Sequence, residues 1–253
     1  MANKLTETFR LPCYDTDALG RMKAFAFMNY AQEAANKHAE LMGFGYDTLI
    51  QSRVVWILSR FHLHFEQYPH WKDQVTLTTW HKGLDRMFFL RDYILEAEDG
   101  TTLARATSSW LTLNIDSRKL VRDPGLVSPE MDLKEDVLPE PCDKIRMPKG
   151  VEGEFVREHE VVYSDVDLNG HANNAMYCFW SLDVMGYEFM LQHELKDLYI
   201  NFNHETKAGD RIAFFRYSTE EEGKTVVYVE GRIGGQTDDP TSGTSSFTVK
   251  CVF

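Results

Sequence analysis

The chain has 253 residues, 43% apolar and 26% charged, with 27 Lys and Arg against 39 Asp and Glu for a net charge of −12. This is the composition of an ordinary folded protein, long enough for one large or two small domains, and its acidity argues against nucleic acid or an anionic membrane as partner. No apolar run approaches a membrane span, and the four cysteines, none in a C-x-x-C spacing, exclude a zinc ribbon and a disulfide framework.

In chain order, the stretch from Met1 to Glu7 has neither an apolar signal core nor a transit-peptide composition, so a cytoplasmic, bacterial protein is expected. The segment Asp15-Thr16-Asp17-Ala18-Leu19-Gly20 then precedes an apolar-faced helix pattern over residues 25–42. Residues 71–75 are expected as an extended segment ending in a turn with Asp73, and Asp99-Gly100-Thr101 supplies a hairpin turn. Residues 123–153 carry Pro124, Pro129, Pro139, Pro141 and Pro148 and read as a linker. Beyond it, residues 155–163 are extended. A second helix is predicted over 175–191, with Asn173 or Asn174 as cap. Strands are predicted over 198–204, 211–218, 225–233 and 245–252.

The chain repeats itself. Asp165-Val166-Asp167-Leu168-Asn169-Gly170 matches the Asp15 segment 150 positions earlier, while Ala208-Gly209-Asp210-Arg211-Ile212 and Thr244-Ser245-Ser246-Phe247 match segments 137 positions earlier. One helix for four or five antiparallel strands in each copy indicates an α+β architecture with the helix inside the curl of its sheet. The expected organisation is an N-terminal domain over 1–123, a linker over 124–153 and a C-terminal domain over 154–253.

The second copy carries the chemistry. From Asp165 to Asn174 the chain packs two carboxylates, three amides and an imidazole in front of an apolar helix. A loop entering a helix offers free N–H donors and a favourable dipole to a developing oxyanion, and Gly170 lets the backbone come close to a substrate.

The segment from Tyr163 to Tyr177 resembles the Tyr-x-Asp-x-Asp-x-x-Gly-His-x-Asn-Asn-x-x-Tyr pattern of hotdog-fold thioesterases. With the tandem repeat, the chain resembles the acyl-ACP thioesterase family from about Phe9 to Phe253. The resemblance implies two tandem hotdog domains, each a curved antiparallel sheet wrapped around a long central helix. It implies Asp167, Asn169, His171 and Glu205 as catalytic groups, with Thr206 where the family has Cys, which counts against a cysteine nucleophile. It further implies acyl carrier protein as partner and no metal or organic cofactor. Gly170, Asn173, Asn174 and Thr206 are expected near the substrate, and Phe25, Phe27, Met28 and Trp56 along the acyl chain. Either Glu205 or Asp167 serves as general base toward water; spacing does not choose between them.

The first copy has Leu19, Arg21 and Tyr68 where the second has Asn169, His171 and Glu205, so it is expected to be inactive and to shape an acyl pocket. An acyl-CoA thioesterase and a non-catalytic acyl-binding protein are the alternative readings. Tyr163 and Tyr177 are expected to pack, Cys178 to be a buried small side chain, and His62 and His64 to lie on a polar strand face without binding metal. Docking of an acidic carrier requires local basic charge; the candidates are Arg118, Lys119 and Arg122, then Lys144, Arg146 and Lys149, then Lys207 and Arg211. A monomer or a homodimer is compatible with two domains in one chain.

Overall fold

The computed structural model describes residues 3–122, 127, 129–138, 142–236, 238–239 and 242–253. The expected boundary at 123/124 and Pro124, Pro139 and Pro141 lie outside them. The chain divides into two units, Met1–Asp143 and Lys144–Phe253.

The first unit contains β1 (Leu5–Arg10), α1 (Ala24–Met42), α2 (Tyr46–Gln51), β2 (Val54–Phe65), β3 (Gln74–Asp85), β4 (Phe88–Ala97), β5 (Thr102–Asn114) and β6 (Lys119–Leu120). Its antiparallel sheet runs β1-β3-β4-β5-β2, with β6 paired to β5. The β4–β5 turn uses the predicted residues: Thr101 N–H donates to Asp99 Oδ1 at 2.9 Å, and Gly100 supplies the left-handed position at φ 83°. Helix α1 buries Ala24, Ala26, Phe27, Met28, Ala31, Ala34, Ala35 and Ala39, and packs against β3 and β1. Its run of alanines allows a close approach of helix to sheet, and Gly43 ends it in the left-handed region at φ 83°.

The second unit contains β7 (Glu154–Glu160), α3 (Asn174–Asp183), α4 (Tyr187–Gln192), β8 (Asp197–Phe202), β9 (Arg211–Glu221), β10 (Lys224–Ile233) and β11 (Thr244–Val252). Its antiparallel sheet runs β7-β9-β10-β11-β8, the same order as the first five strands of the other unit. The repeat read from sequence is therefore a repeat of topology, one hotdog domain per unit. The core centres on Trp180, with Tyr177 and Phe214 at centroid distances of 5.3 and 6.3 Å. Gly231 of β10 leaves room for the Phe247 ring, which a Cβ there would strike.

One element differs from expectation. The helix predicted over 175–191 is two helices, because Met185 and Gly186 N–H bond three residues back, to Leu182 and Asp183, and Gly186 turns the chain at φ 90°. The central helix of the second unit is thus 10 residues against 19 in the first.

The linker region is held to sheet residues. In the first unit Leu133 N–H donates to His81 O at 3.0 Å and Val137 N–H to Asp92 Oδ2 at 2.9 Å. In the second, Ile145, Met147 and Val151 pack on a cluster that includes Phe215, Tyr217 and Tyr228. Among the described residues no helix is long and apolar enough to cross a membrane.

Candidate active site

The segment in front of α3 folds on its own polar groups. Buried Asp165 accepts from Val162 N–H at 2.8 Å, lies 2.8 Å from His159 Nε2, and its carbonyl accepts from Asn173 N–H at 2.8 Å. A tight turn follows. Asp167 N–H donates to His171 O at 3.0 Å, Gly170 N–H to Asp167 O at 3.0 Å, and Asn169 N–H to Asp167 Oδ1 at 2.8 Å. Gly170 takes the left-handed conformation, φ 74°, that this turn requires. Asn169 and Gly170 stand exposed at its tip, and His171 at its base. Asn173 caps α3, its Oδ1 accepting from Ala175 N–H at 2.8 Å.

The second part of the site follows β8. Ala172 N–H donates to Thr206 O at 2.8 Å, and Asn203 and His204 N–H donate to Ser246 O, so the 203–206 segment lies against both the loop and β11. Glu205 Oε2 sits 3.2 Å from His171 Nε2, with the two side chains 31% and 26% exposed. They form a carboxylate–imidazole pair open to solvent. Thr206 points the other way. It is fully buried, and its hydroxyl lies 2.8 Å from Ser246 Oγ, which in turn donates to His204 O at 3.0 Å. The Thr206 side chain thus supports the segment from inside.

Neighbouring groups are poor nucleophiles. Burial pushes the Cys178 thiol well above its usual range, and burial likewise raises the Tyr177 hydroxyl. Tyr177 packs as expected, 5.0 Å from the Phe247 ring. Tyr163 does not: it is 95% exposed beside the loop, as Leu168 is at 85%, because the turn at Tyr163–Asp165 directs Asp165 inward and Tyr163 to solvent.

The same loop exists in the first unit without the pair. Asp17 N–H donates to Arg21 O, Gly20 N–H to Asp17 O, Leu19 N–H to Asp17 Oδ1, and Met22 N–H to Pro69 O, all at 2.8 to 2.9 Å. Here Arg21 Nε bonds Asp17 Oδ2 at 2.8 Å. The buried-Asp anchor is kept too: Tyr30 Oη donates to Asp15 Oδ2 at 2.7 Å. In the second unit Trp180 occupies the Tyr30 position, and His159, at the Phe9 position, bonds the aspartate instead. Sequence reasoning passed over His159; the signal was available, as a histidine facing an aromatic residue across the repeat.

Of the residues expected along the acyl chain, Trp56 lines a cavity of about 100 Å³ in the first unit, together with Asn36, Phe44, His81, Phe89 and Arg91. Phe27 and Met28 are core residues on α1, and Phe25 is half-buried. Among the basic candidates, Arg118, Lys119, Arg122, Lys144, Arg146, Lys149 and Lys207 are exposed, while Arg211 is shared between Glu158 and Glu160 at 3.4 Å each. His62 is buried in β2 rather than on a polar face, and no group of three or more His, Cys, Asp or Glu among the described residues is placed to hold a metal.

Sequence models of the acyl-ACP thioesterase N-terminal domain and C-terminal domain match residues 2–128 and 149–247. The chain belongs to the acyl-ACP thioesterase family. It is 27% identical to the oleoyl-acyl carrier protein thioesterase, chloroplastic, of Coriandrum sativum, over 90% of this chain and 66% of that one. The chain spans about half to two thirds of the length of the curated relatives it matches. In fold it is similar to an acyl-ACP thioesterase from Bacteroides thetaiotaomicron, with a TM-score of 0.82 at 23% identity, covering 99% of this chain and 98% of that one. It is also similar to the 12:0-ACP thioesterase from Umbellularia californica, with a TM-score of 0.86 at 20% identity, covering 98% and 93%. These two likenesses establish the tandem hotdog architecture.

Proposed function

We propose that the chain hydrolyses fatty acyl thioesters of acyl carrier protein, releasing free fatty acid, with the chemistry in its second unit. The His171–Glu205 contact carries this reading, because it joins an exposed base to an exposed donor in one copy and is replaced by Arg21 and Tyr68 in the other.

Glu205 is the general base, rather than Asp167. Asp17 makes the same turn-closing hydrogen bond as Asp167 in a copy that lacks the other catalytic groups. An aspartate at this position is therefore needed for the loop irrespective of catalysis. Glu205 takes a proton from water, and the water oxygen attacks the thioester carbonyl carbon. His171 and the exposed amide of Asn169 hydrogen-bond the reacting oxygens. Ala175 and Met176 N–H at the start of α3 are already bonded to Asn173, so side-chain donors carry more of the oxyanion charge than the helix start does. The tetrahedral intermediate then expels the carrier thiolate, which recovers the proton from Glu205. Gly170 and Asn174 border this site, and no step requires a cofactor.

The partner is acyl carrier protein, met by the exposed Arg118, Lys119 and Arg122 around the β5–β6 hairpin. Four free cysteines suit the reducing cytoplasm that we assign as its compartment.

The test is hydrolysis of matched acyl-ACP and acyl-CoA thioesters, from about eight to eighteen carbons to bracket pocket depths, with Glu205→Ala as control. Preference for the ACP series, lost in the variant, is expected. Equal or better turnover of acyl-CoA would remove the carrier assignment, and binding without hydrolysis would remove the enzymatic one.

A further inference from the structure

The aspartate that anchors the loop is held by different partners in the two units. In the first unit Tyr30 of α1 stacks on Phe9 of β1 at a centroid distance of 4.0 Å, and Tyr30 Oη donates to Asp15 Oδ2. In the second, Trp180 of α3 and His159 of β7 stand at the same two positions of the repeat, with their rings 5.0 Å apart. Trp180 does not take over the bond: its Nε1 is buried and has no hydrogen-bond partner among the described residues. His159 does, with Nε2 2.8 Å from Asp165 Oδ2. The pair of rings is kept, and the polar atom has moved from the helix to the strand.

Asp165 Oδ2 also accepts from Val162 N–H at 2.8 Å. A carboxylate only accepts, so His159 Nε2 carries the proton of its bond, whether the ring is neutral or charged. Asp165 is 3% exposed, and a buried carboxylate deprived of a donor is unfavourable. The bond reaches the site through the backbone. Asp165 O accepts from Asn173 N–H at 2.8 Å, Val166 bridges to Ala172 next to it, and Asp167 N–H donates to His171 O at 3.0 Å. Asp165 is thus the foot of a narrow ribbon that carries Asn169 at its tip and His171 on its returning arm.

We propose that His159 is a positioning residue of the second unit: by holding Asp165 it fixes the foot of this ribbon and so sets His171 and Asn169 against Glu205. This rests on the hydrolase reading of the His171–Glu205 pair. A ribbon released at its foot carries His171 off its 3.2 Å contact with Glu205, and a misplacement of about 1 Å at a reacting centre costs up to about 100-fold in rate. The first unit shows a second way to build the same anchor, and that supplies the test.

The experiment measures kcat and KM on the acyl-ACP that wild type turns over fastest, together with hydrogen exchange of the amides of residues 166–173. His159→Phe places the first unit's strand residue in the second and removes the donor. Its kcat is expected to fall about tenfold or more with KM within about threefold of wild type, and its loop amides to exchange faster. His159→Gln presents an N–H donor at similar reach and is expected to keep at least about a third of the wild-type kcat. His159→Phe combined with Trp180→Tyr rebuilds the first unit's anchor and is expected to recover kcat and loop protection together. Should the double variant not fold, His159→Phe against His159→Gln decides the matter. Wild-type kcat in His159→Phe with a lowered melting temperature overturns the proposal, since the bond is then structural only, and so does an equal loss of kcat in His159→Phe and His159→Gln. Absence of turnover in wild type refutes the hydrolase reading instead; the anchor is then judged by exchange, and unchanged loop protection in His159→Phe overturns it.

Discussion

Arg21 lies over the ring of Tyr68, 5.2 Å from its centroid, at the two positions that His171 and Glu205 hold in the second unit. The contact survived in geometry and changed in chemistry. A cation on an aromatic face holds the loop to the segment after its strand, as the imidazole and carboxylate do, but it has no group able to take a proton from water at neutral pH.

Removing the proton acceptor therefore has a clear expected effect. Glu205→Gln and His171→Ala are each expected to lower kcat on acyl-ACP by about 100-fold or more. Both side chains are partly exposed, so melting temperature and circular dichroism should stay close to wild type. Turnover within threefold of wild type in both variants would falsify the assignment.

The two carboxylates separate by substitution. Asp167→Asn keeps an oxygen to accept from Asn169 N–H, so the turn persists and at least about a tenth of the activity is expected to remain, against the loss of about 100-fold at Glu205. Steady-state kinetics of the two variants side by side make the comparison. A larger loss at Asp167 than at Glu205 reverses their roles.

Thr206→Cys introduces the residue that the family resemblance implies at this position. Since the side chain is fully buried against Ser246, a thiol at this position stays protonated and out of reach of substrate. The variant is expected to turn over at roughly the wild-type rate and to resist iodoacetamide under native conditions. Rapid inactivation by the reagent, prevented by substrate, contradicts this.

His81 makes stability depend on pH. Its pKa is held at about 4 in the fold, by burial and then by Arg91, which outweigh the Asp132 carboxylate 3.2 Å from Nε2, against 6.5 when unfolded. Between those values the unfolded chain binds the extra proton, so stability falls as pH drops from 6.5 toward 4 and the effect is complete below that. Over the whole window the loss is of order 3 kcal/mol. Thermal melts at pH 7 and pH 5 are expected to show a larger drop for wild type than for His81→Gln. Parallel drops would mean that His81 titrates normally.

Gly231→Ala tests the packing of the second unit. A methyl group there meets the Phe247 ring, and overpacking of this kind costs about 1–3 kcal/mol. Combined with Phe247→Leu, part of that loss is expected to be recovered, a non-additivity that denaturant titration of the two single variants and the double variant measures.

Much of this protein was legible in its sequence, because repeats and turn residues act locally. The match of Asp15–Gly20 to Asp165–Gly170 announced two copies of one topology; Asp99 and Gly100 marked a hairpin, and Asn173 a helix cap. Glu205 and His171 were found by family pattern, on segments 34 positions apart. Other features depended on what surrounds a residue. The second helix stops at Asp183 because Gly186 adopts a left-handed conformation, which its apolar periodicity does not encode. Thr206 faces inward and Tyr163 outward because their segments are fixed by backbone bonds to Ala172 and by the inward anchor of Asp165. His159 becomes the partner of Asp165 only when β7 brings its ring to the buried carboxylate, 2.8 Å away. Hydrogen-bonding capacity belongs to the residue and is written in the sequence; desolvation belongs to its neighbours, which only the fold assembles.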